Sequence, residues 1–323
     1  MWGIRTFFWN SGEERLRSGW RVLLHLVLWV LIQIFAGTVI GSPLTVILTR
    51  FIPVLTPIAD NLLFYLLNLV LVIALTWYMA VYIDHRPLRT LGLQFDSQWW
   101  SDLSFGLSLG ALLISGIFIA EWYLGWVAIS SHFYVGLPGT SFAVAIWQPI
   151  VLFIVVGINE ELLSRGYQLR NLAEGFTTSH SRRRWAVLWA WFFSSTLFGL
   201  LHIFNPNSTW VSTMGLIVAG GCLGLGYILT GRLGIPIGLH VTWNFFQGNV
   251  YGFPVSGNIL SATTVFQIQQ LGPKVWTGGD FGPEAGLVGV LALLAGGLIT
   301  LLWVQWHYGQ IRLVTDLADY QRI

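Results

Sequence analysis

Charge is what this sequence has least of. Only 9% of its 323 residues are Asp, Glu, Lys or Arg, where a soluble domain has about 25%. That deficit excludes a water-solvated surface over most of the chain, so the length is not to be divided into soluble domains. Cysteine is almost missing too. The single Cys222 lies in an apolar, glycine-rich run. One thiol excludes an intramolecular disulfide and any multi-cysteine metal site, and it reads as a small residue packed between helices. The formal net charge of +2 is too small to imply a nucleic-acid partner. There is no cleavable signal pattern at the N-terminus either. Residues 1–21 mix Trp2, Phe7, Phe8 and Trp9 with Arg5, Arg15 and Arg17, as in a segment lying in the membrane interface.

What the chain has in abundance is apolar length. Hydrophobic residues make up 55% of it, and many of its 18 Trp stand near the ends of apolar runs, as aromatic belts do. A spanning helix needs about 20 mostly apolar residues. Eight runs satisfy that window, roughly 22–42, 62–83, 103–124, 143–165, 185–204, 211–230, 235–252 and 285–306. The run at 235–252 is the weakest, being short and holding His240, Asn244 and Gln247.

Orientation follows from Lys and Arg. With the N-terminus inside, the inner segments hold Arg5, Arg15, Arg17, Arg21, Arg86, Arg89, Arg165, Arg170, Arg182, Arg183, Arg184, Arg232, Arg312 and Arg322, and the outside keeps only Arg50 and Lys274. The expected fold is therefore an all-α polytopic membrane helix bundle of about eight transmembrane helices, with both termini cytoplasmic. It divides into an N-terminal part, 1–142, with the interfacial segment and three helices; a core, 143–252, with helices four to seven; and 253–323, with an outer loop, the last helix and a tail. The outer segments 125–142 and 253–284 read as long loops, the second placed to cover the outer mouth of the bundle. No internal repeat is visible. Gly220 and Gly224 form a small-xxx-small face for close helix packing.

Ionisable groups inside spans are expensive, so each is a functional candidate. His25 and Glu121 fall near span ends, within reach of an interface. The others form three clusters: Glu160, Glu161 and Arg165; His202; and His240 with Asn244. On a helix, residues i and i+4 are neighbours. Glu161 thus faces Arg165 and is neutralised by it. Glu160 is rotated by about 100° toward Gly157 and Ser164 and has no built-in counter-ion, which suits it to general-base work. His240 and Asn244 share a face and can aim two donors at one oxygen, as an oxyanion hole requires. Ser164, Ser194 and Ser195 lack a triad context, so water is the expected nucleophile.

Glu160-Glu161-Leu-Leu-Ser-Arg165, Phe198-Gly-Leu-Leu-His202 and His240-Val-Thr-Trp-Asn244 resemble, in order, the three motifs of the CAAX protease and bacteriocin-processing (CPBP, or abortive-infection) family of intramembrane proteases. The resemblance covers about residues 143–250. It implies a bundle of about eight helices and an endopeptidase acting on a membrane-embedded, membrane-associated or lipidated peptide in the bilayer. It also implies that Glu160 and His202 activate water and that His240 and Asn244 stabilise the oxyanion. Glu161, Arg165 and Phe198 then support the site. A metal-free glutamate mechanism is favoured, without cofactor. The alternative is a zinc-dependent protease, with Glu161, His202 and His240 as ligands; no His-Glu-x-x-His helix is present. A bacterial cytoplasmic (inner) membrane is the expected location, from family breadth and compact loops.

One expectation is strained. At 1.5 Å per residue, Glu160 lies ~15 Å from Arg170 and His240 ~12 Å from Arg232, but His202 lies ~27 Å from Arg184. With the three arginines at one level, His202 sits too far outward unless its helix starts well inside the cytoplasm, tilts, or helices break near the site. Gly234 and Pro236 make a re-entrant start before His240 plausible. The rival readings are a non-catalytic membrane scaffold or partner-binding protein of the same fold and a transporter with a proton relay. The confinement of the charges to one cluster argues against the transporter.

Overall fold

The computed structural model describes residues 4–51, 56–137, 139–177, 183–260 and 262–320. Trp2, Arg182 and Arg322, which entered the expectations for the interface and the orientation, lie outside them. Eight principal helices follow in order: α1 Ser18–Phe35, α2 Thr56–Tyr78, α3 Ser97–Tyr123, α4 Trp147–Glu161, α5 Arg183–Leu201, α6 Trp210–Thr230, α7 Gly234–Phe245 and α8 Leu287–Tyr308. Helix α4 does not stop at Glu161. It runs on through a π-helical stretch, Leu162–Leu169, into Arg170–Phe176.

Among the described residues, six helical runs are long and apolar enough to cross a membrane by length and composition: Ser18–Leu44, Leu62–Ile83, Ser97–Tyr123, Phe142–Phe176, Trp210–Thr230 and Leu287–Tyr308. The protein is an all-α polytopic membrane bundle; six of the eight expected spans meet that measure. Helices form at the other two positions. Helix α5 opens on Arg183 and Arg184 and carries Ser194, Ser195 and Thr196. Helix α7, even with its π-helical continuation Phe246–Val250, is shorter than the roughly 20 residues a span needs.

The helix ends have local causes. The Asp96 carboxylate caps α3 by accepting from the Trp99 N–H at 2.9 Å, and Thr209 and Ser212 cap α6 reciprocally. The two long outer connections differ from expectation. They are not loops throughout: Val127–Val135 (β1) and Thr263–Gln270 (β2) pair antiparallel, from Val127 opposite Gln270 to Val135 opposite Thr263. Both are rich in β-branched and aromatic residues, which suit a pleated surface.

Two glycine seams set the helix packing around the site. On α3, Gly106 and Gly110 lie one turn apart; on α7, Gly234 and Gly238 do the same. A Cβ on Gly110 would stand 2.5 Å from the Leu239 carbonyl oxygen, and one on Gly234 2.5 Å from that of Trp99. Any side chain there would force α3 and α7 apart. In the other seam, Gly220 and Gly224 of α6 meet Ser195 and Trp191 of α5, the packing role expected for them.

Arg15 and Tyr320, near either limit of the described residues, meet at one face of the bundle. The Arg15 guanidinium lies 3.3 Å from the centroid of the Tyr320 ring. Beneath it the buried Glu174 carboxylate draws in Arg15 at 2.8 Å, Arg21 at 3.5 Å, Arg170 at 3.7 Å and Arg86. Asp84 pairs with Arg21 at 3.1 Å. His25 is buried. It bonds Thr76 Oγ1 at 3.1 Å and stacks on Tyr167. Glu121, at the outer end of α3, accepts from Gln270 of β2 at 2.8 Å.

Candidate active site

Three consecutive residues at the end of α4 point at three different neighbours, because each step on a helix turns by about 100°. Asn159 donates to Asn68 of α2 at 2.7 Å. Glu160 faces a cavity of about 350 Å³ between the helices. Glu161, fully buried, turns toward α6 and α7. Its Oε1 accepts from Arg165 Nη1 at 2.8 Å, the expected i,i+4 pair. The same oxygen meets His240 Nδ1 at 2.8 Å. Arg165 also donates to the Gly220 carbonyl at 2.8 Å and lies over the Phe198 ring, 4.5 Å from its centroid. The carboxylate thus has its own cation, and the α6 glycine supplies that cation's second acceptor.

Glu160 has no such partner. Its Oε2 stands 3.8 Å from His202 Nε2 and 3.9 Å from His240 Nε2. Both gaps are too long for direct hydrogen bonds and suit one bridging water. The Nδ1 atoms of the two rings are committed elsewhere. His202 Nδ1 lies 2.8 Å from the Phe198 carbonyl and His240 Nδ1 meets the Glu161 carboxylate. Both partners only accept, so each Nδ1 carries its proton and each Nε2 is left for the cavity. Asn244, one turn beyond His240, lines the same cavity. Ser194 donates to the Ser164 carbonyl and Ser195 to that of Trp191, so both hydroxyls are tied to backbone.

The depth conflict disappears because its reference level was displaced. Helix α4 continues to Phe176 and α5 starts at Arg183. Counted from those ends, Glu160 is about 24 Å in and His202 about 28 Å, within one turn of each other. Helix α7 starts among the buried residues Leu233, Gly234 and Ile235, so His240 needs few residues to reach the same depth.

The rest of the cavity is mostly apolar, with Phe153, Val156, Leu216 and Leu239 among its lining residues. Its outer wall contains Asn205, Ser256, Asn258 and Glu284, none of which the motifs mark. Glu284 sits in a Gly/Pro-rich segment just before an apolar run, where nothing in the sequence signals burial. Burial pushes its carboxyl up to about 7, against the pull of its hydrogen bonds to Gln247 and Ser256. The folded-state value lies above the ordinary one of about 4.5, so the folded protein holds the extra proton between these values. The stabilisation is full below about pH 4.5 and is lost as pH rises through 7. Glu284→Gln is therefore expected to flatten the fall in thermal midpoint between pH 5 and 8. Parallel curves for variant and wild type would contradict this.

A carboxylate and two imidazoles converging in an apolar cavity, inside a polytopic helical bundle, define a candidate hydrolytic centre of an integral membrane protein. Residues 140–246, which span α4 to α7, match the family model described as type II CAAX prenyl endopeptidase Rce1-like, consistent with the CPBP resemblance of the three motifs. That family implies a protease acting on a membrane-associated peptide. No curated protein and no solved structure matches the chain.

Proposed function

We propose that the chain is an intramembrane endopeptidase of CAAX-protease type, cutting a peptide bond of a membrane-associated or lipidated peptide with activated water, in a bacterial inner membrane. The observation that carries the reading is the placement of Glu160 Oε2 one water away from both imidazole Nε2 atoms. A water there donates to Glu160 and to His202. Glu160 takes its proton as the oxygen attacks the scissile carbonyl. The tetrahedral oxyanion accepts from His240 Nε2–H and from the Asn244 amide. With Nδ1–H held by Glu161, the donating His240 ring is an imidazolium, and the Glu161 carboxylate faces that charge. Glu160 then returns the proton to the leaving amine. Arg165 and Phe198 hold Glu161 and the His202 helix in place.

We favour this metal-free reading over the zinc alternative with Glu161, His202 and His240. His240 meets Glu161 through Nδ1 and the cavity through Nε2, so the carboxylate and the free nitrogen lie on opposite sides of the ring. The reaction is accordingly written without a metal.

The test is cleavage of a membrane peptide by the purified protein. His202→Ala and His240→Ala are expected to lower the rate by about 10²–10³-fold, and a zinc chelator to leave it unchanged. Loss of activity to the chelator would overturn the metal-free mechanism. Equal cleavage by the variants would remove the site, and no cleavage by wild type would favour the non-catalytic scaffold.

A further inference from the structure

The outer wall of the cavity carries a carboxylate outside every motif. Glu284 sits in the short 3-10 turn Pro283–Ala285 before α8 and is 2% exposed. Its Oε2 accepts from Gln247 Nε2 at 2.7 Å. Its Oε1 accepts from the Ser256 N–H at 3.2 Å and the Ser256 hydroxyl at 3.3 Å. Among the described residues no Arg, Lys or His is paired with it.

These donors belong to two arms that lead back to the reacting groups. Gln247 lies three residues past Asn244, in the π-helical turn that ends α7, and also donates to the Pro254 carbonyl at 2.6 Å. The Ser256 carbonyl accepts from Asn205 Nδ2 at 2.9 Å. Asn205 lies three residues past His202, and its N–H donates to the His202 carbonyl at 3.0 Å. One carboxylate thus joins the turn after His202 to the turn after Asn244. Gly282 closes over the junction: a Cβ there would stand 2.7 Å from Glu284 Oε2 and 2.9 Å from Gln247 Nε2, so only glycine lets the chain cover the pair. A carboxyl group, with acceptor capacity on both oxygens, suits this three-donor junction.

We propose that Glu284 is a positioning residue. It holds His202 and the His240–Asn244 pair in one frame, so that the water and the oxyanion donors address the same carbonyl. This rests on the endopeptidase reading above. Misplacement by about 1 Å costs on the order of 10²-fold in rate, with little effect on binding.

The experiment uses the purified full chain and the membrane peptide that the wild type cleaves. Steady-state kinetics, thermal midpoint and backbone hydrogen exchange are compared for wild type, Glu284→Ala, Glu284→Gln and Asn205→Ala. For Glu284→Ala, kcat is expected to fall about 30- to 100-fold with KM within about twofold. Glu284→Gln, whose amide oxygen still accepts from Ser256, stays within about threefold of wild type, and Asn205→Ala loses about tenfold. Exchange at residues 203–209 and 246–257 rises in Glu284→Ala, while α6 is unchanged. Wild-type kcat in Glu284→Ala overturns the proposal, as does a loss shared equally by Glu284→Gln that tracks the thermal midpoint. Should Glu284→Ala not fold, unchanged kcat in Asn205→Ala overturns it and a tenfold loss supports it. Should the wild type cleave nothing, the endopeptidase reading fails by itself. Hydrogen exchange then still decides whether Glu284 holds the two turns together.

Discussion

Glu160→Gln is expected to cut the cleavage rate by about 10³-fold or more, within the range a general base supplies, while the protein folds as before. The first half follows from isolation of the base. Glu161 is the next carboxylate, but its Oε1 is held by Arg165 and His240 on the far side of the ring, so it cannot substitute. The second half follows from Glu160 being the sole partner of no cation, since Glu161 already pairs with both Arg165 and His240. Its nearest charged or titratable neighbours are imidazoles at 3.8 and 3.9 Å. Losing its charge therefore leaves no buried ion unpaired. Cleavage and thermal melting measured on one preparation check both halves. Wild-type cleavage would remove Glu160 from the mechanism, and gross unfolding would show that its role is structural.

Glu174→Ala has the opposite profile. Four guanidiniums gather at that buried carboxylate, from Arg15, Arg21, Arg86 and Arg170. Removing the acceptor leaves like charges buried side by side, with Asp84 and Glu13 left to share. Breaking one buried pair costs about 3–5 kcal/mol, a large part of the roughly 5–15 kcal/mol that holds a domain folded. The variant is expected to accumulate poorly and to melt far below wild type, whereas Arg15→Ala, which removes one cation and keeps the acceptor, is milder. Recovery of Glu174→Ala with a wild-type melting temperature would refute this. The consequence reaches Tyr320, because Arg15 carries its ring.

What was legible in the sequence was local. The Glu161–Arg165 pair is one helical turn, and helix geometry alone predicts it. The separation of Glu160 from Glu161 follows from the same 100° step. The bundle class follows from apolar length. What was not legible depends on contacts between distant residues. Glu174 meets Arg15 and Arg21 across more than 150 positions, and Glu284 meets Gln247 across 37. No window on the sequence contains both partners. The depth of His202 was misjudged because Arg170 was assumed to mark the membrane edge, whereas α4 carries on past it to Phe176. The strand pair β1–β2 was missed because two segments more than 120 residues apart supply each other's ladder.

The glycine seam between α3 and α7 bears on portability. The segment matched to the protease family begins after α3, yet α3 provides the bed on which the helix with His240 and Asn244 lies, through Gly106 and Gly110. Excised at the family boundary, the segment would present to lipid a groove shaped for a backbone it no longer has. A chimera that grafts residues 140–246 onto another membrane scaffold must bring along a helix with glycine at both of these positions.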